Sequence, residues 1–208
     1  MTDETYDAII IGTGQAGPSL ADQLGEIDAS VAIIERDRVG GTCVNYGCTP
    51  TKTMVASARN AHMARRGGDY GVDTGGEVSV DMSAVHERMR EVAGGSNKGV
   101  TSWLEGLEHV DLLRGHAQFT GPNTVDVGGR TLEADRLFIN VGARPRVPDI
   151  EGLEDVDYMT NREILELQKA PEHLVVIGGS YIGLEFGQMF RRFGSEVTIV
   201  EQGPRLIG

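Results

Sequence analysis

The 208-residue sequence holds two cysteines, one tryptophan and only 5% aromatic residues. Two cysteines cannot form a disulfide scaffold, and a chain of this length has core enough to fold without one. Nowhere do about 18 apolar residues run together, which excludes a membrane-spanning helix. The start, MTDETYDAIIIG, has no basic stretch and its short apolar run stops at glycine, so no leader segment is expected. Basic residues are in deficit as well. Nineteen Lys and Arg stand against 31 Asp and Glu, a formal net charge of −12 with no long single-sign block. Neither nucleic acid nor an anionic membrane is a suitable partner for that surface. A soluble, cytoplasmic protein is expected. In a reducing compartment two neighbouring cysteines are more often catalytic or metal-binding than structural.

Glycine, by contrast, is abundant, and its placement has a grammar. Residues 6–11 (YDAIII) read as a buried strand, followed at once by GTGQAG and the helical pattern PSLADQL. Residues 30–34 (SVAII) read as the next strand, closing on Glu35. The same order returns at 173–177 (HLVVI), with GGSYIG, the helix LEFGQMFRRFG and the strand EVTIV closing on Glu201. Gly12 to Glu35 and Gly178 to Glu201 both span 23 positions. The chain therefore carries two dinucleotide-binding openings of equal length.

Between them the pattern predicts a helix from about Pro50 to Arg66, and a helical stretch from Met82 to Leu107 interrupted at Gly94-Gly95. Short alternating segments from His116 to Ala134, punctuated by GPN at 121–123 and GG at 128–129, predict a small antiparallel meander. Arg136 to Val141 reads as a further buried strand that ends in the proline-containing GARPRVP. The expected class is α/β, Rossmann-like and three-layered, with a parallel sheet, a small meander and a second, truncated Rossmann unit. Residues 1–150 form the first domain and 151–208 begin the second, with the boundary near Glu151 to Asn161.

In the first loop, Gly12 permits the tight turn, Gly14 lets backbone approach a pyrophosphate, and Gly17 lets helix and strand pack closely. Glu35 is placed to accept hydrogen bonds from a ribose hydroxyl. The second loop keeps Gly178 and Gly183 but has Ser180 at the middle position, where its hydroxyl can reach a phosphate. A carboxylate at Glu201 suits a free 2′-hydroxyl and repels a 2′-phosphate, which favours NADH over NADPH.

Both cysteines fall in GGTCVNYGCTPTK, which begins at Gly40. Five positions of regular helix separate Cα atoms by roughly 8.7 Å, beyond the ~7 Å reach of a disulfide. Cys43 and Cys48 therefore cannot bridge across unbroken helix. Gly47 permits unusual backbone and Pro50 suits a helix's first turn, so Cys48 is expected at a helix N-terminus, where the dipole favours thiolate. Closing so short a loop does little for stability, and zinc would want more ligands than the neighbourhood offers. A redox dithiol is the better reading, and no metal site is expected.

Glycine loop, acidic strand end and GGTCVNYGCTPTK together resemble the pyridine nucleotide-disulfide oxidoreductases, flavoenzymes that include dihydrolipoamide dehydrogenase, glutathione reductase and mercuric reductase. The resemblance runs the length of the chain. It implies FAD at Gly12, Gly14, Gly17 and Glu35, with Gly41, Thr42, the backbone of Ala117 and the Asn140–Pro145 turn around Gly142 as further contacts. It also implies that Cys43 is the thiol that meets substrate, Cys48 the thiol beside the flavin, Lys52 the lysine near flavin N5, and Glu185 its ion-pair partner. Tyr181 matches an aromatic that covers the flavin in some members. NAD(P)H would sit at Gly178, Ser180, Gly183 and Glu201.

GGTCVN and GCTPTK are worded more like mercuric reductases than dihydrolipoamide dehydrogenases, and a soft dithiol suits Hg(II). The same dithiol serves lipoamide or glutathione. A small molecule or metal ion is thus the expected substrate. Family members are more than twice as long. The sequence stops just after the second strand of the NAD unit, without the later FAD-holding segment, the dimerisation domain or its His-Glu pair. The expectation is the N-terminal part of a homodimeric parent, with a fragment that at most binds FAD as the alternative.

Overall fold

The computed structural model describes residues 4–207. In chain order the elements begin with β1 (Glu4–Ile11), α1 (Ala16–Gly25), β2 (Val31–Glu35), α2 (Gly41–Tyr46), α3 (Cys48–Arg65) and α4 (Met82–Glu105). They continue with β3 (Val110–Arg114), β4 (Ala117–Phe119), β5 (Thr124–Val127), β6 (Arg130–Ile139), β7 (His173–Ile177), α5 (Tyr181–Phe193) and β8 (Glu196–Val200). The chain divides into two compact units. One takes in residues up to Thr49 together with Ala93–Asn161, and the other Pro50–Val92 together with the chain from Arg162 onward. Among the described residues no helix is long and apolar enough to cross a membrane.

The first unit is built on a six-stranded sheet of order β3-β2-β1-β6-β5-β4, in which β3, β2, β1 and β6 are parallel and β5 and β4 antiparallel. Its central strands are apolar on both faces because both faces are covered. Ala8, Ile10, Val31 and Ile33 pack with Ala21 and Leu24 of α1 and Leu104 of α4. The alternate residues Ile9, Ala32 and Ile34 pack with Val125, Val127 and Leu132, so the meander folds over that face. This gives the three layers expected.

Chain order reverses across β1, with β2 on one side and β6 on the other. Ile11 pairs with both Ile34 and Ile139, so all three strands end level. In such sheets the crevice beyond these ends is where ligands bind. The glycine loop after β1, Glu35 and Asn140 all stand there.

Three expectations need correction. The helix over 82–105 is continuous through Gly94-Gly95, because Met82, Met89 and Leu104 are buried on either side of them and hold its ends. The strand expected at Arg136–Val141 and the end of the meander are a single strand, β6, whose start pairs antiparallel with β5 and which runs beside β1 from Leu132 to Ile139. Finally, residues 110–114, to which the sequence pattern assigns no strand, form β3 and complete the parallel edge beside β2.

In the second unit β7 and β8 pair in parallel, from His173 with Glu196 to Ile177 with Val200. Phe186, Met189, Phe190 and Phe193 recur along α5 at helical spacing. They form a core with Met54, Ala58, Met82, Met89, Ile164, Leu165 and Leu174.

Candidate functional site

Cys43 and Cys48 form a disulfide with their Cα atoms 4.7 Å apart. The chain achieves this by breaking the helix between them. Gly47, at φ −138° and ψ −114°, separates α2 from α3. A Cβ there would lie 3.0 Å from the Thr42 carbonyl oxygen and 3.3 Å from the Cys43 Cα, tighter than most side chains come, so the break favours a residue without one. Cys48 is the first residue of α3 and exposed, and Cys43, on α2, is half-buried. The Cys48 sulfur thus stands at the N-terminal end of an 18-residue helix, the positive end of its dipole.

With six residues, α2 is far too short to persist by itself. Side-chain amides hold it. Asn45 Nδ2 donates to the carbonyls of Val39 and Gly41, both at 2.9 Å, which ties the helix to the loop before it. Asn97, from α4, donates to the Val39 carbonyl at 2.7 Å and to Asn45 Oδ1 at 3.2 Å. Asn161 Nδ2 donates to the Tyr46 carbonyl at 2.7 Å, at the helix's other end.

The first glycine loop is fixed with equal care. Glu35, buried at the end of β2, accepts the Thr13 N–H at 3.1 Å and the Thr13 hydroxyl at 2.5 Å through Oε2, and the Asp37 N–H at 2.8 Å through Oε1. Thr13 Oγ1 in turn accepts the Gly40 N–H at 3.1 Å. Asn140 Nδ2, at the end of β6, donates to the Gly12 carbonyl at 3.1 Å. A Cβ on Gly17 would run into that same Gly12 carbonyl, and one on Gly41 would lie 2.8 Å from the Gly14 Cα. Glycine loop and dithiol segment therefore meet backbone to backbone. Of the other residues named from the sequence in this unit, Ala117 is half-buried opposite Val127, and Thr42 and Gly142 are exposed.

In the second unit the loop Gly178-Gly179-Ser180 leads into α5. A Cβ on Gly183 would strike the Gly178 carbonyl, as at Gly17 and Gly12. Ser180 is the N-cap residue, extended at φ −82° and ψ 179°, and its side chain makes no capping bond. Tyr181 is 69% exposed. Glu201 accepts the Gly179 N–H at 2.7 Å through Oε2 and the Gly203 N–H at 2.8 Å through Oε1. The Gly203 bond first, then that from Gly179, holds its carboxyl below the ordinary value of 4.5. Lys52 Nζ pairs with Glu185 Oε1, both within this unit.

Four residues that hold these segments went unnoticed in the sequence: Thr13, Asn45, Asn97 and Asn161. Thr13 and Asn45 lie inside runs already singled out, where side-chain donors and acceptors beside a glycine turn are the available signal. Asn97 and Asn161 carry no local signal, because their partners lie 52 to 115 positions away.

A family model described as pyridine nucleotide-disulphide oxidoreductase matches residues 6–208. Mercuric reductase of Lysinibacillus sphaericus is 39% identical over 208 residues, covering 100% of this chain and 38% of that protein. Dihydrolipoyl dehydrogenase of Acholeplasma laidlawii is 36% identical over 200 residues, 94% of this chain and 59% of that protein. Among solved structures, the HOCl-induced flavoprotein disulfide reductase RclA from Escherichia coli superposes with a TM-score of 0.81 at 34% identity, over 96% of this chain and 43% of that one. The chain spans less than two thirds of each of these proteins.

Proposed function

The chain belongs to the pyridine nucleotide-disulphide oxidoreductase family, and from that premise we propose an FAD-dependent enzyme that uses NADH to reduce Cys43–Cys48 and presents the dithiol to Hg(II). The observation that carries this reading is the disulfide itself, set at the head of α3 and packed through Gly41 against the glycine loop.

The residues at the first loop fit a dinucleotide. Glycines at 14 and 41 let the two loops close up, and the start of α1 offers helix-terminal N–H groups to a pyrophosphate. Gly12, Gly14, Gly17 and Glu35 would hold FAD, with Gly41, Thr42, Ala117 and Gly142 further along it. Gly178, Ser180, Gly183 and Glu201 would hold the nucleotide, with Tyr181 beside them. FAD, when bound, supplies two-electron transfer between a nicotinamide and a disulfide.

Cleaving the S–S bond takes two electrons and leaves a thiol at Cys43 and a thiolate at Cys48, with one proton taken up by Cys43. The Cys48 thiolate is stabilised by the α3 dipole, and Lys52, ion-paired with Glu185, is the lysine that would stand near the flavin. Two soft sulfur ligands at one point suit a soft cation over magnesium or calcium. Glu201, held ionised by two backbone N–H groups, repels a 2′-phosphate and supports NADH as the donor. A cytoplasmic homodimer is the assembly proposed.

The second reading is a dihydrolipoyl dehydrogenase-like enzyme whose dithiol exchanges two electrons with a lipoyl disulfide, a reaction that in the NADH-consuming direction reduces lipoamide, and the 36% identity to a dihydrolipoyl dehydrogenase favours it. The deciding experiment supplies the FAD-reconstituted chain with Hg(II) or lipoamide and follows consumption of NADH and NADPH. Hg(II)-dependent consumption of NADH, slower with NADPH, is expected. Consumption with lipoamide alone selects the second reading, and none with either substrate contradicts both.

A further inference from the structure

We propose that Asn97 is a positioning residue of the disulfide, acting through Asn45 to keep Cys43 against Cys48 after the bond is cleaved. The inference rests on the redox role proposed for the pair, and it concerns the reduced state, where nothing covalent joins the two sulfurs.

In the oxidised chain the bond itself keeps the two Cα atoms at 4.7 Å. In the reduced chain that separation depends on α2 holding its place beside the head of α3. A six-residue helix does not persist unaided, and the non-helical backbone of Gly47 interrupts the chain between the two cysteines. Resistance must come from elsewhere. Asn45 lies two residues after Cys43 on α2, and its amide bonds the Val39 and Gly41 carbonyls. Those bonds need Nδ2 turned toward the loop and Oδ1 away from it.

Asn97 enforces that orientation. Its own Nδ2 donates to Asn45 Oδ1 at 3.2 Å, which only the observed rotamer of the Asn45 amide can accept. It also donates to the Val39 carbonyl at 2.7 Å, filling that oxygen's second lone pair. The loop so held connects onward, because Gly40 N–H bonds Thr13 Oγ1 and Thr13 bonds Glu35. Asn97 comes from the long helix α4, so an element distant in sequence anchors a joint that would otherwise open. The closer the thiols stay, the higher their effective concentration for one another and the more stable the disulfide.

The test is the thiol–disulfide equilibrium of the chain against dithiothreitol, read by alkylation and mass, for wild type, Asn97→Ala, Asn45→Ala and the double variant. This readout needs neither FAD nor turnover. Asn97→Ala is expected to lower the equilibrium constant for closing the disulfide about tenfold, equivalent to ~30 mV for a two-electron couple. Asn45→Ala is expected to act in the same direction, and the double variant by less than the two effects added. An unchanged constant in Asn97→Ala, with a wild-type pair that cycles, overturns this inference and leaves the redox role standing. A wild-type pair that does not exchange overturns both.

Should the variants fail to fold, amide hydrogen exchange on the wild type decides the matter. Protection across residues 43–47 that survives reduction supports the clamp. Protection that vanishes on reduction refutes it.

Discussion

Glu201 holds the Gly179 N–H at 2.7 Å as Glu35 holds the Thr13 N–H at 3.1 Å, each carboxylate reaching back 22 positions to the second residue of its glycine loop. Each uses its other oxygen for the N–H two residues ahead, Gly203 in one case and Asp37 in the other. The repeat seen in the sequence thus extends to single hydrogen bonds. Both acids brace their loops from inside, whatever they also offer a ribose.

Removing the brace in the first unit should cost stability directly. Glu35→Gln leaves the Thr13 donors with one neutral acceptor in a buried site, and a loss of about 1.5–3 kcal/mol is expected from the weakened charge-assisted bonds. Thr13→Val removes the hydroxyl that donates to Glu35 and accepts the Gly40 N–H, and should cost about 1–3 kcal/mol. Urea denaturation of the two variants beside wild type measures both.

Glu201 gives a pH dependence of definite sign. Its folded carboxyl titrates below the ordinary 4.5, mainly because of the Gly203 and Gly179 N–H groups. Stability from these bonds is complete above the unfolded value and is lost as pH falls through the folded one. Glu201→Gln should therefore flatten the loss of stability below about pH 4.5. Denaturation midpoints at neutral and acid pH, compared between variant and wild type, check the slope.

Glycines divide by what surrounds them. Gly94 and Gly95 lie inside α4 with nothing within 4 Å of an added Cβ, so alanine at either should stabilise the chain by about 0.5–1 kcal/mol. Gly17→Ala should instead destabilise it, since the methyl meets the Gly12 carbonyl. Thermal melts should move in opposite directions.

The Lys52–Glu185 pair offers a separation of stability from chemistry. Lys52 is 65% exposed, so Lys52→Met should change stability by less than about 1 kcal/mol. With Lys52 proposed as the lysine near the flavin, NADH-driven reduction of Cys43–Cys48 should fall at least about tenfold, which is about 1.4 kcal/mol in the barrier. Stopped-flow kinetics on a variant with a wild-type melting profile tests this.

Local chemistry made much of the fold legible. Strand, glycine turn, helix and acidic strand end occupy adjacent positions, and β1, α1, β2, β7, α5 and β8 all follow from such runs. What eluded sequence reasoning was non-local. Two glycines in α4 signal a break that buried Met89 and Leu104 override, and β3 shows its strand character only by pairing with β2. The site divides the same way. Cys43, Gly47 and Cys48 announce a broken helix by their spacing, whereas Asn97 sits among small and polar residues that give no hint of its bond to Val39.

The most direct test of the account is a reductive titration of the FAD-reconstituted chain, with absorption spectra and thiol counts taken together. The account predicts bound flavin, opening of Cys43–Cys48 after two electrons, and a long-wavelength band from the Cys48 thiolate that Cys48→Ser abolishes. Flavin that takes up electrons while Cys43–Cys48 stays closed, or a band that persists in Cys48→Ser, would contradict it.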